Sequence, residues 1–574
     1  MKKTPLAMTL ALALGALAAP QQVWAAAALA GPAHAAASAR PARTAAKPFL
    51  WENATVYFLL TDRFNNGDHA NDLAYGRQGD AAPLRGYMGG DLAGVTAKIK
   101  EGYFDSLGVD AIWITPPVEQ IHGGTDEGTG KSYGFHGYWA RDWTSVDANL
   151  GTEQDMRTLV DTAHAHGIRV LLDVVMNQTG PVTEQDPVWP PEWVRTGPVC
   201  TYKDPATTIS CTLVPNLPDV RTESNDNVAL PPALVAKWKA EGRYEREVAE
   251  LDAFFARTGY PRAPRYHLIK WHADWVRKYG FDGFRADTVK HVEVGAWKEL
   301  GQEASLAYEE WKRANPARKL GDDKFFMTAE LFGYNIAHGQ QFDLGGGNKV
   351  NYYKDGGFDS IINFGLVWDA KQDYETLFSS YSARLHGELQ GYTVLNYLAS
   401  HDFDQPFDPA RTKPFESANK LLLAPGAAQI YYGDETARRL DPAEAQGDAK
   451  LRSYMNWDEL ASDAKRDGYS VAAVRSHWSK LAKFRQAHVA VGAGVHQQLQ
   501  AHPYVFKRTF ARDGLRDQVV VALEQPTGKP AAIDVHGVFA NGARVRDYYS
   551  GTSAVVARGK VTFPAHNAVV LIGQ

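Results

Sequence analysis

Cysteine is scarce: Cys200 and Cys211 are the two in a chain of 574 residues. No Cys or His cluster accompanies them, so nothing suggests a metal centre built on thiols. An even count leaves either one disulfide closing a short loop or two free thiols. A surplus of positive charge is also missing. With 61 Lys and Arg against 66 Asp and Glu, the formal net charge is −5. That gives no footing for a nucleic-acid or anionic-membrane partner. Past the N-terminal region no continuous apolar run is long enough to cross a bilayer, and no internal repeat is evident.

Ordinary globular composition is what remains, with 44% hydrophobic and 22% charged residues. The 15 Trp and 26 Tyr suit either a groove where flat rings stack on a ligand or a large aromatic core. Residues 1–25 read as a signal peptide, with a Met-Lys-Lys head, an apolar core over 6–19 and small residues at candidate cleavage points. The expectation is a periplasmic or secreted protein, with no membrane association after signal removal. Residues 26–47 are Ala, Pro, Ser and Arg without a period and read as a linker.

From residue 56 onward, apolar strand-like runs alternate with helical spacing. Runs at 56–60, 111–115, 169–175, 283–287, 325–330, 360–364, 393–397 and 428–432 count eight. Helical spacing covers 95–107, 152–166, 266–279 and 471–486. A Pro-rich interval over 178–265 holds both cysteines and a charged helical piece at 234–255. The pattern predicts an α/β chain: a (β/α)8 TIM barrel over 48–177 and 266–488, with 178–265 inserted after the third strand. Short strand-like runs over 489–574 predict a C-terminal all-β sandwich domain.

Barrels of this kind do chemistry at the C-terminal ends of their strands. There the third strand ends near Asp173 and Asn177, the fourth in Arg285 and Asp287, the fifth in Glu330, and His401-Asp402 follows the seventh. Arg285 and Asp287, two apart on a strand, point the same way. Taken alone, that pair is a structural salt bridge or an oriented nucleophile. Three carboxylates on one rim cannot all ionise, and a protonated acid beside a carboxylate is the equipment for glycosidic-bond cleavage. A metal cage of Asp and Glu is the competing reading, and Arg285 beside Asp287 argues against a cation there.

The chain resembles the α-amylase family of glycoside hydrolases, and among these the exported bacterial α-amylases. The motifs stand in the family's order: Val-Tyr-Phe-Leu-Leu-Thr-Asp-Arg-Phe at 56–64, Gly-Val-Asp-Ala-Ile-Trp-Ile-Thr-Pro at 108–116, His-Gly-Tyr-Trp at 136–139, Asp-Val-Val-Met-Asn at 173–177, Leu-Pro-Asp at 217–219, Gly-Phe-Arg-Ala-Asp-Thr-Val-Lys-His at 283–291, Thr-Ala-Glu at 328–330, Ser-His-Asp at 400–402 and Ile-Tyr-Tyr-Gly-Asp-Glu at 430–435. The resemblance implies Asp287 as nucleophile, Glu330 as general acid and base, and Asp402 as transition-state stabiliser. It implies that Arg285 orients Asp287 and that His136, Tyr138 and His401 meet the sugar at the cleavage subsite. Lys290 and His291 would meet the leaving-side sugar. The substrate implied is an α-1,4-linked glucan, cleaved endo-fashion with retention by a monomeric enzyme.

Calcium is implied by the same matching. Asn177, Asp219 and the His291 carbonyl fall at one Ca²⁺ site, and Asn66, Asp68, Asn71, Asp72, Gly89 and Asp91 at a second. Two departures stand out. Gln178 occupies the place of a family histidine that holds sugar, and Ser400 the place of a frequent Asn. Transglycosylating, cyclodextrin-forming relatives share the catalytic motifs but usually carry further β domains, which favours hydrolysis here. An inactive sugar-binding homologue is the remaining alternative, and all three carboxylates argue against it.

Overall fold

Eight short strands, buried along their whole length, build the central element. They are β1 (Thr55–Leu59), β2 (Ala111–Ile114), β3 (Arg169–Val174), β4 (Gly283–Ala286), β5 (Phe326–Ala329), β6 (Ser360–Asn363), β7 (Thr393–Asn396) and β8 (Ala427–Tyr431). Each pairs in parallel with its sequence neighbour, and β1 pairs with β8, so the barrel closes. Strands covered on both faces are mainly apolar, which is why they read as near-continuous runs and not as alternations. The structure is a computed structural model that describes residues 48–402, 405–563 and 568–574. The expected signal peptide and linker lie outside the described residues.

The helix expected at 152–166 forms as Glu153–Ala165, with Thr152 and Asp155 closing a reciprocal capping box. The helix at 95–107 does not form as one piece. It is two, Leu92–Lys100 and Tyr103–Leu107, broken where Gly102 takes φ 74°. The piece at 234–255 likewise divides into Pro232–Ala240 and Tyr244–Thr258. Spacing of apolar residues survives such breaks, so periodicity alone did not reveal them.

Between β3 and β4 the chain makes a short antiparallel pair, Val194–Arg195 with Asp219–Val220. Cys200 and Cys211 are joined as a disulfide. At the C-terminal end, six antiparallel strands run in the spatial order 495–500, 505–512, 515–522, 570–573, 544–547 and 553–555. A second pair, Ala531–Asp534 with Lys560–Phe563, faces this sheet. Val520, Ile572, Ile533 and Phe563 share one apolar cluster between the two, as a sandwich requires. Another face of the larger sheet, including Phe506, Val519 and Val521, joins the barrel's own core.

Candidate active site

Register brings the first pair together. Arg285 on β4 lies opposite Asp173 on β3, and parallel partners in register share a face. Arg285 Nη1 donates to Asp173 Oδ1 over 3.0 Å and to Asp287 Oδ1 over 2.6 Å. The other Asp173 oxygen accepts from Trp113 Nε1 at 2.9 Å and Tyr138 Oη at 2.8 Å. Burial pushes both carboxyls up, while the guanidinium pulls them back down.

Backbone bonds carry the ladder past the strand ends and hold the next carboxylates. Asp287 N donates to the Val174 carbonyl at 3.0 Å, and Glu330 N to the Ala286 carbonyl at 2.8 Å. Thr288 then adopts φ 46°, a left-handed conformation costly for a β-branched residue. From it the Thr288 N–H donates to Glu330 Oε2 over 2.6 Å. Arg285 Nη2 lies 4.0 Å from the same oxygen. Burial pushes Glu330 up to about 8; Arg285 opposes that rise and the Asp287 charge adds to it. The two carboxyls differ in their surroundings: Asp287 holds the guanidinium at close range and Glu330 does not.

Asp402 is the most open of the three carboxylates. His401 Nε2 is 3.0 Å from Asp402 Oδ2, and Arg452 Nη2 is 2.7 Å from Oδ1. Arg452 also donates to the His401 carbonyl at 3.0 Å and pairs with Asp448 at 2.7 Å. Burial, then the Arg452 charge, holds His401 and His136 well below the ordinary histidine range, so both rings are neutral. His136 Nδ1 accepts from Tyr138 N at 3.1 Å, which leaves its proton on Nε2. The Tyr138 ring lies against His401, with centroids 5.2 Å apart.

The two residues expected on the leaving side part company. Lys290 donates to the Phe332 carbonyl at 3.3 Å, with its ammonium 5.1 Å from the Tyr202 ring and 5.3 Å from the Phe332 ring. The His291 ring turns instead into the disulfide loop, where Nδ1 donates to the Thr208 carbonyl at 2.7 Å. Gln178 is buried, and both ends of its amide are engaged by protein: Nε2 donates to the Tyr138 carbonyl at 3.3 Å, and Oε1 accepts from Asn177 Nδ2 at 3.0 Å.

Asn177 Oδ1 is 3.1 Å from the His291 carbonyl oxygen and 3.0 Å from Asp219 Oδ1. Three oxygens facing one another fit a hard cation. Burial pushes the Asp219 carboxyl up to about 9 against the pull of Arg195, whose Nε lies 3.1 Å away, and a divalent charge would favour its ionised form. In the second candidate loop the buried amide oxygens of Asn66 and Asn71 have no hydrogen-bond partner, while Asn66 Nδ2 donates to Asp72 Oδ1 at 2.7 Å. Gly89, at φ 87°, is pressed against that pair, and a Cβ there would collide with it. Two orphaned oxygens beside a carboxylate also fit Ca²⁺. Asp91 is otherwise occupied: it accepts from Gly67 N, Asp68 N, Asn71 Nδ2 and Gly94 N and caps the helix Leu92–Lys100. Asp68 accepts from Ala70 N at 3.0 Å. Among the described residues no three His, Cys, Asp or Glu gather as a metal set, so both places depend on amide or carbonyl oxygens.

Sequence reasoning passed over Asp173 as a site residue and did not reach Arg452, Trp113 or Thr288. Asp173 was within reach, since it ends the strand beside Arg285.

A closed parallel barrel with an acid, a paired carboxylate and a third carboxylate at its strand ends is a barrel enzyme of glycoside hydrolase type. Residues 58–186 match the α-amylase catalytic domain family. The periplasmic α-amylase of Escherichia coli K12 is 38% identical over 78% of this chain and 69% of its own length. The α-amylase of Streptomyces lividans is 29% identical over 84% of this chain, which spans 56% of that relative. A solved Anoxybacillus α-amylase superposes with a TM-score of 0.61 at 21% identity, over 92% of this chain and 98% of its own. The chain belongs to the α-amylase family of glycoside hydrolases.

Proposed function

We propose that this enzyme cleaves internal α-1,4-glucosidic bonds of starch- and glycogen-type glucans and maltooligosaccharides with retention of configuration. The observation that carries the reading is the unequal treatment of two buried carboxyls on adjacent strands. Burial raises both carboxyls, but Arg285 opposes it at 2.6 Å on Asp287 and only at 4.0 Å on Glu330, which is raised to about 8. At neutral pH that assigns a nucleophile and an acid.

Asp287 attacks the anomeric carbon as Glu330 protonates the glycosidic oxygen, which leaves on the departing sugar. A covalent glycosyl–Asp287 ester results. Glu330, now ionised, takes a proton from water, the water oxygen attacks the anomeric carbon, and Asp287 is released. Asp402, held by Arg452 and beside neutral His401, accepts from sugar hydroxyls whose acidity grows as the ring becomes oxocarbenium-like. His136 can donate through Nε2 and Tyr138 offers a ring face.

Asn177, Asp219 and the His291 carbonyl would hold one Ca²⁺, and Asn66, Asp68, Asn71 and Asp72 a second, with Gly89 packed against them and Asp91 kept by its own N–H donors. Bound there, calcium supplies fixed positive charge that ties loops to the barrel. Export is supported by the disulfide, which persists in oxidising compartments, and by the periplasmic E. coli relative. Among the described residues no helix is long and apolar enough to cross a membrane.

The stereochemistry tests the reading. Proton NMR of fresh digests should show the α-anomer as the first product, and initial release of the β-anomer would refute retention. Cyclic products from soluble starch would shift the assignment to transglycosylation.

A further inference from the structure

We propose that Gln178 is a positioning residue for a divalent-cation site and not a sugar contact. Its amide holds Asn177 so that Oδ1 joins Asp219 Oδ1 and the His291 carbonyl, and it ties this oxygen face to the segment bearing Tyr138. The inference rests on the calcium reading given above.

Two orientations of the Asn177 amide compete. Turned over, its NH₂ would donate to the His291 carbonyl at 3.1 Å and to Asp219 at 3.0 Å, and no cation would be needed. That orientation sets the Asn177 oxygen 3.0 Å from Gln178 Oε1, acceptor against acceptor. Gln178 could relieve the clash only by turning its own amide. It would then lose the donation from Nε2 to the Tyr138 carbonyl at 3.3 Å and present an oxygen to that carbonyl instead. Gln178 is 3% exposed, so water cannot substitute for either partner. The two amides are therefore locked as a unit, with the Tyr138 carbonyl setting Gln178 and Gln178 setting Asn177. The backbone agrees, since Gln178 forms a β-bridge with Asp219 and Val220 N donates to the Asn177 carbonyl at 2.7 Å.

Such an outer partner changes metal affinity without touching the metal.

The test uses the full chain with its disulfide intact, stripped with chelator and titrated with Ca²⁺ by calorimetry. Gln178→Met should weaken one class of Ca²⁺ binding by about 10–100-fold, with KM for a maltooligosaccharide changed less than about threefold. Gln178→Glu keeps an acceptor for Asn177 Nδ2 but sets an oxygen against the Tyr138 carbonyl, so it too should weaken Ca²⁺ binding. If the Met variant does not fold, Gln178→Asn, one methylene too short to reach its partners, gives the same readout. Undiminished Ca²⁺ affinity in Gln178→Met or Gln178→Asn overturns the inference, the more so if KM rises instead. A wild-type chain that takes up no Ca²⁺ overturns the calcium reading itself, a result distinct from a wild type that binds and a variant that binds equally.

Discussion

Arg285 and Asp173 are register partners on adjacent strands, joined at 3.0 Å in a fully buried ion pair. The same guanidinium nitrogen reaches Asp287 at 2.6 Å, so a residue that no motif role had claimed shares the guanidinium with the proposed nucleophile. Asp173→Asn should destabilise the fold by about 3 kcal/mol. An amide cannot accept from Arg285, Trp113 and Tyr138 together, and it leaves part of a buried network unpaired. Urea unfolding measures this, and a change below about 0.5 kcal/mol would remove Asp173 from the network.

Asp287→Asn should lower kcat by ~10⁴-fold or more, as loss of a nucleophile does elsewhere. Glu330→Gln should cost ~10²–10⁴-fold. Reducing ends released from a blocked maltooligosaccharide report both. Near-native turnover in Asp287→Asn would refute the assignment.

The pH response has a defined sign. The Glu330 carboxyl rises from an ordinary value of 4.5 to about 8 on folding, mainly through burial. Between those values the folded state keeps a proton that the unfolded chain has released, so this group's contribution to stability falls as pH rises through the window. Glu330→Gln removes that dependence. Its Tm relative to wild type should be higher at pH 8 than at pH 4, and equal shifts at both would contradict it. In the wild type, kcat should fall as pH rises past about 8, where the acid loses its proton.

The Cys200–Cys211 bridge closes a loop with a sequence separation of 11, worth about 3 kcal/mol by loop entropy. Replacing both cysteines by Ser should lower stability by about that amount. It should also raise KM, because Tyr202 within the loop lies against the Lys290 ammonium at 5.1 Å. Two titratable thiols in the unfolded, unreduced protein would show that the bridge does not form.

Calcium removal is the remaining lever. A chelator should lower Tm by several degrees and added Ca²⁺ should restore it, since a ligand that binds only the folded state stabilises it. A Tm indifferent to chelator would count against both sites.

Much of this was legible in the chain. Each strand lies within a residue or two of its expected place, because a strand buried on both faces must be a short apolar run between polar breaks, which is a local property. Glu330 and Asp287 were legible for the same reason: each closes or directly follows such a run. The divided helices at 92–107 and 232–258 were not, because the apolar spacing hides the break.

What the residues determined alone is the barrel and the placing of Asp287, Glu330 and Asp402 at its strand ends. Those follow from hydrophobic pattern and from position relative to strand ends. What only the tertiary structure decided is which partner each polar group keeps. Arg452 reaches Asp402 across 50 residues, Trp113 reaches Asp173 across 60, and Gln178 reaches the Tyr138 carbonyl across 40. A hydrogen bond needs two groups within about 3 Å at the right angle, and for residues so far apart in the chain the backbone's path through space sets that distance.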